Sequence, residues 1–141
     1  MALPTISPVT VTRAEANAAL EAGFAKSAEL GIPFTIAVLD AGGNLVAHAK
    51  EDGAALASIG TSFAKAVTAV HFGQSTEALQ GAVSPGAPLY GLGNRDVAYA
   101  FVGGAVPIAN AAGTIIGAVG VGGGSPADDH LVATAAATAL A

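Results

Sequence analysis

From Val97 to Ala127 the chain carries no charged residue. A run of that length is what a membrane span requires, since roughly 20 apolar residues cross a bilayer. This one contains eight glycines, Pro107, Pro126 and Asn110, and its apolar residues fall into short groups. A spanning helix does not carry that density of breakers, so the stretch reads as short strands joined by tight turns. The same small residues dominate elsewhere: 35 alanines and 19 glycines among 141 positions, against 5 Phe, 2 Tyr and no Trp. Of the 52% hydrophobic fraction, about half is alanine, which buries little area per residue. The length suits one domain, residues 1–141. Its core must come from close backbone approach or from surface shared with other subunits.

Charge and cysteine usage remove several function classes. Lys plus Arg number 5 and Asp plus Glu 10, for a formal net charge of −5. Such a chain builds no basic stripe for phosphates, which argues against nucleic acid and against anionic membrane. Without cysteine there is no disulfide, no thiolate metal site and no thiol nucleophile. The opening MALPTISPVT has neither a positive n-region nor an apolar h-region, so no export signal is read and a cytoplasmic location is expected.

The elements follow from periodicity and punctuation. Residues 1–10 read as an extended lead-in. Thr12-Arg13-Ala14-Glu15 is a capping box, and Ala16, Leu20 and Phe24 recur behind it at helical spacing. Gly31 and Pro33 end that helix, expected over 12–30. Residues 34–40 and 45–50 read as a β-hairpin around Ala41-Gly42-Gly43-Asn44. A second helix is expected over about 56–72, with Ile59, Phe63, Val67 and Val70 on one stripe and Thr61, Lys65 and Thr68 on another face. Ser75 caps a short helix through Gln80. Residues 81–96 read as a long loop that covers a pocket or an interface. Val97–Val102, Ala105–Ala109 and Thr114–Val121 read as a three-strand meander. Ser125-Pro126-Ala127-Asp128 then starts an alanine-rich final helix. The expected class is α+β: one domain with a five-stranded antiparallel sheet, hairpin plus meander, packed with helices.

Few residues can carry chemistry. The spacing of His48, His71 and His130 fits no zinc motif. His71 and His130 lie near element ends, where sites form, and a histidine can ligate iron. Gly122, Gly123 and Gly124 run into a helix N-terminus, which can hold an anion. No Walker lysine accompanies them, and Asp128 and Asp129 repel a phosphate; a tight turn plus a cap explains the segment as well. Glu51-Asp52 and Asp128-Asp129 suit proton transfer or a hard cation, or simply solvated turns. Lys65 is one of five basic residues and stands mid-helix near Thr61 and Thr68. It can pair with an aspartate, orient a carboxylate ligand or act as an amine. Arg95, in the long loop, can grip a carboxylate. No nucleophile-elbow sequence marks a triad.

Several segments together carry a resemblance: Asp40-Ala41-Gly42-Gly43-Asn44-Leu45-Val46, Asp52-Gly53-Ala54, Lys65-Ala66-Val67-Thr68-Ala69, Gly103-Gly104-Ala105-Val106-Pro107-Ile108 and Gly117-Ala118-Val119-Gly120-Val121. In this order, over roughly 10–140, the chain resembles the GlcG/HbpS-like family, which includes haem-binding proteins and the C-terminal domain of PduO-type corrinoid proteins. The resemblance implies a compact profilin-like or GlcG-like domain, assembly into symmetric homo-oligomers, often octamers, and haem or another small ligand bound near subunit boundaries. Two positions depart from the family pattern. Lys50-Glu51 precedes the Asp-Gly turn in place of Arg-Met, and Gly122 stands where a serine commonly follows the last strand. The family has no single fixed axial ligand, so no histidine is carried over.

Three readings follow. The favoured one is a small-molecule-binding oligomer with haem or a related tetrapyrrole as leading ligand, and with His71 or His130 as iron ligand. Scarce aromatics weigh against it. The second is a cofactor-independent hydrolase, lyase or isomerase acting on a small carbonyl or carboxylate metabolite in a catabolic or biosynthetic pathway. In that reading Lys65, His130 and Asp129 are catalytic, and Thr68, His71, Arg95, Gly122 and Gly123 help bind the ligand. The third is a structural or regulatory oligomer.

Overall fold

Thr12 starts the first helix as its sequence requires. Its hydroxyl accepts from the Glu15 amide at 3.1 Å, and the Glu15 carboxylate accepts from the Thr12 amide at 3.0 Å. In the computed structural model, which describes residues 1–4, 8–94 and 99–140, this helix is α1, Arg13–Leu30. Gly31, at φ 70°, closes it. The hairpin follows as β1, Thr35–Asp40, and β2, Leu45–Lys50. Asp40 shapes its turn by accepting from the amides of Gly42 and Asn44, both at 2.9 Å.

Next come α2, Ala57–Phe72, ended by Gly73 at φ 65°, and α3, Thr76–Gln80, capped by Ser75. The segment read as a plain loop contains two short 3-10 turns, Gly81–Val83 and Tyr90–Asn94. Then come β3, Ala105–Ala109, β4, Ile115–Gly122, and α4, Pro126–Thr138. Ser125 caps α4 by accepting from the Asp128 amide, with Pro126 in the first turn.

The sheet has four strands among the described residues, not five, in the order β2-β1-β4-β3 with every pairing antiparallel. The hairpin is present, but the expected meander is reduced to β3 and β4. Residues 99–102 form no strand because their bonding partners lie on a helix. The Ala100 amide donates to the Thr68 hydroxyl at 2.8 Å, and Phe101 packs on Phe72 and Tyr99. Val97 and Ala98, and Arg95 with them, lie outside the described residues.

Alternation along the strands separates two faces. Ile36, Val38, Val119 and Val121 face α1 and α4, where Ala16, Ala19, Val132, Ala133 and Ala136 complete the main core. The opposite face carries a row of small side chains. Ala105 opposes Gly120, Gly120 opposes Ala37, and Ala37 opposes His48. Helix α2 lies on that row. A Cβ on Gly120 would stand 2.0 Å from the Ser62 carbonyl oxygen and 2.7 Å from the Ala66 amide nitrogen. The glycine is therefore what lets helix backbone touch strand backbone.

This close approach inverts α2. Its buried face is Ser58, Ser62, Lys65, Ala66, Thr68 and Ala69, while Ile59 and Phe63 of the apolar stripe are 44% and 38% exposed. Val67 and Val70 are half-buried. An apolar helix face normally seeks the core. Here the small-residue row of the sheet accepts only short side chains, with Lys65 leaving toward the sheet end. Among the described residues no helix is long and apolar enough to cross a membrane.

Two glycine substitutions separate contact from conformation. Gly120→Ala is expected to lower unfolding free energy by about 2–3 kcal/mol, through overpacking against α2. Gly60→Ala, on the exposed side of α2 with nothing within 4 Å, is expected to raise it by up to about 1 kcal/mol. Urea denaturation of both variants measures the difference.

Candidate functional site

Lys65 and Asp129 come from helices on opposite faces of the sheet and meet beyond its end. Lys65 Nζ stands 2.7 Å from Asp129 Oδ2, and the two side chains are 7% and 3% exposed. Lys65 also donates to the Val121 carbonyl at 3.1 Å, and Asp129 Oδ1 accepts from the Gly124 amide at 2.9 Å. Gly104 makes the meeting possible. A Cβ there would stand 2.7 Å from Lys65 Nζ and 2.9 Å from Asp129 Cβ. Burial raises the Asp129 carboxyl above its ordinary value, while the hydrogen bonds from Lys65 and Gly124 oppose part of that rise.

The pair forms part of the wall of a cleft of about 370 Å³. Ala57, Ser58 and Thr61 from α2 line one side, Ala100 and Val102 another, and Gly123, Gly124 and Pro126 a third. That size falls within the range of small-ligand sites, roughly 300–1,000 Å³. The Gly124 amide is engaged by Asp129 and the Asp128 amide by Ser125, so these two donors are taken within the turn into α4. Gly122 ends β4 against Ser58 and Thr61; a Cβ there would stand 2.6 Å from Thr61 Oγ1.

Of the other sequence candidates, Thr68, His71, His130 and Glu51 do not line this cleft. Thr68 is buried and holds the 99–102 segment through the Ala100 amide, while its own hydroxyl donates to the Ala64 carbonyl at 2.7 Å. His130 does not line the cleft. Its Nε2 pairs with Glu77 at 2.9 Å, and its Nδ1 is buried without a partner among the described residues. Of the acidic pairs, Glu51 accepts from the Phe34 amide at 3.1 Å and from the Ser27 hydroxyl, a structural role. Among the described residues no group of three His, Asp or Glu could hold a bare metal ion.

His71 stands apart, exposed at the C-terminal end of α2. Its Nδ1 bonds the Tyr99 hydroxyl at 2.9 Å, and the two rings meet edge to face at 5.6 Å. Phe72 and Phe101 pack on Tyr99 at 5.1 and 5.7 Å. Three of the chain's seven Phe and Tyr residues are thus gathered beside one imidazole. Sequence reasoning missed this cluster because it read residues 97–102 as a strand. The described part of the segment divides instead: Ala100 and Val102 line the cleft, Tyr99 meets His71, and Phe101 packs on Phe72 and Tyr99.

Among the described residues, a four-stranded antiparallel sheet between one helix and a helix pair, with a buried Lys–Asp pair at its end, defines a small α+β domain. The chain belongs to the HbpS-like family, whose model, described as haem degrading protein HbpS-like, matches residues 11–138. It is 40% identical over 129 residues to an uncharacterized 15.0 kDa protein of the dhaT-dhaS intergenic region of Citrobacter freundii, covering 90% of this chain and 89% of that one. It is 32% identical over 115 residues to the corrinoid adenosyltransferase PduO of the same organism, covering 82% of this chain but only 34% of PduO. Among solved structures, protein ORFY of Klebsiella pneumoniae superposes with TM-score 0.89 at 31% identity, covering 99% of this chain and 97% of that one. A PduOC:heme complex superposes with TM-score 0.87 at 28% identity, covering 92% and 94%.

The remaining histidine provides a pH signature. His48 Nε2 lies 3.1 Å from the Ser62 hydroxyl beneath α2, and burial lowers its pKa from 6.5. The unfolded chain therefore takes up this proton first on acidification. The stability contributed by neutral His48 is complete above pH 6.5 and is lost as pH falls through the lower folded-state value. Unfolding free energies of wild type and His48→Gln, measured from neutral to mildly acidic pH, are expected to show the steeper acid loss in the wild type.

Proposed function

We propose that the protein binds haem or a closely related tetrapyrrole at the exposed end of α2, with His71 as the iron ligand. The observation that carries this reading is the His71–Tyr99 hydrogen bond. An imidazole ligates a metal through one nitrogen while a partner on the other nitrogen orients the ring. Here Tyr99 holds Nδ1, and Nε2 is left beside Gly43, where a Cβ would stand 3.4 Å away. His130 is the weaker candidate, because its Nε2 is paired with Glu77 and its Nδ1 is buried. The residues fit the group chemically: the partly exposed Phe72 and Tyr99 would give a macrocycle aromatic contacts, with the buried Phe101 packed behind them. Bound there, haem would supply its iron chemistry, and the chain would hold it through the His71 imidazole and an apolar wall.

The same surface supports self-association. Ile59, Phe63 and Val67 run along α2 toward His71 on one side of the helix, and a second copy laid on that stripe would cover both it and an adjacent ligand. The family resemblance makes an octamer the expected order. The PduOC:heme complex supports the haem reading as the structure of a similar chain.

Haem titrated into the purified protein at micromolar concentration is expected to produce a Soret shift that saturates. His71→Ala should weaken binding by at least about tenfold and alter the spectrum, whereas His130→Ala should leave both unchanged. An unaltered spectrum in His71→Ala would remove His71 from this role, and no spectral change in the wild type would overturn haem binding.

A further inference from the structure

The cleft at Lys65 and Asp129 is separate from the aromatic face at His71 and is too polar at one end to be explained as packing. An ammonium group has three protons to donate. Lys65 places one on Val121 and one on Asp129, and among the described residues the third has no acceptor. A buried polar hydrogen finds a partner in a folded protein, so water or a ligand takes this one. A buried ion pair is also a weak device for stability, because apolar side chains of similar volume often serve as well or better. Its position in a cleft wall is what calls for explanation.

We propose that this cleft binds a small uncharged carbonyl compound, a ketone or aldehyde, whose oxygen accepts the third proton of Lys65. The choice between a carbonyl and a carboxylate rests on charge. Lys65 and Asp129 cancel, so the site has no net positive charge to offer an anion. Asp128 adds a carboxylate one residue away, and the chain as a whole is at −5. A carboxylate ligand would lie beside Asp129 and be repelled, since like charges at close range in a partly buried site interact strongly. A neutral carbonyl takes the same hydrogen bond without that repulsion. Its hydrocarbon part meets Ala57, Ala100, Val102 and Pro126, side chains too short to fill the space. The Thr61 hydroxyl, exposed on the rim, adds a second donor for a hydroxylated ligand.

The test uses the full-length protein labelled with ¹⁵N and two probes of equal carbon number, butanone and butyrate. Butanone should shift the amide resonances of Gly123 and Gly124 saturably, with a Kd of about 10 mM or tighter, and butyrate should bind at least about tenfold more weakly. Lys65→Met should abolish the butanone response. If that variant does not fold, Ala57→Leu, an exposed wall position outside the ion pair, carries the test by filling the cleft, and its response should likewise be lost. Butyrate binding as tightly as butanone, a non-saturating response, or saturable binding that survives in a folded variant would overturn the proposal. A haem spectrum recorded on the same samples reports the His71 face independently, so failure of one site is distinguishable from failure of the other.

Discussion

The Lys65–Asp129 ion pair is the contact on which the arrangement of layers depends. Helices α2 and α4 lie on opposite faces of the sheet and approach each other only where the sheet ends. There Gly104 leaves the space that a side chain would otherwise occupy. Through that gap the pair ties α2 to α4, and its secondary bonds to Val121 and Gly124 hold the end of β4 and the turn into α4. A charge pair removed from water is costly to break, because removing one partner strands the other. The sheet end is therefore sensitive to loss of either partner, and it is also where the cleft opens.

The small residues follow from the same geometry. A sheet face of Ala37, Ala105, Ala118 and Gly120 brings α2 close enough for backbone contact. Only short side chains fit beneath the helix, so Ser58, Ser62, Ala66 and Ala69 face inward and Ile59 and Phe63 face outward. On this face the small residues set the inter-layer distance and leave an apolar ribbon on the surface that leads to His71. On the other face, Phe34, Ile36, Val38 and Ile108 build an ordinary core with α1 and α4.

Much of this architecture was legible from local signals. The capping box at Thr12, the Asp40–Asn44 turn, the Ser125-Pro126 helix start and the glycine stops are short-range chemistry, and each stands where the sequence placed it. That residues 99–102 form no fifth strand was not legible, because Ala100 and Val102 line the cleft while Tyr99 meets His71. The orientation of α2 was not legible either. Its stripe of Ile59, Phe63, Val67 and Val70 follows a core-facing pattern, and only the glycine opposite Ser62 reverses it. Of the site, Lys65 and Asp129 could be listed as separate candidates, but 64 residues divide them and no local signal joins them. Tyr99, the partner of His71, carried no signal at all.

The most direct measurement of this account is a double-mutant cycle on Lys65→Met and Asp129→Leu, followed by chemical denaturation. Each single variant should lose about 3–5 kcal/mol, because each leaves one buried charge without its partner. The double variant should recover much of that loss, giving a coupling energy of at least about 2 kcal/mol. Single losses below about 1 kcal/mol that simply add would contradict a structure organised around this pair.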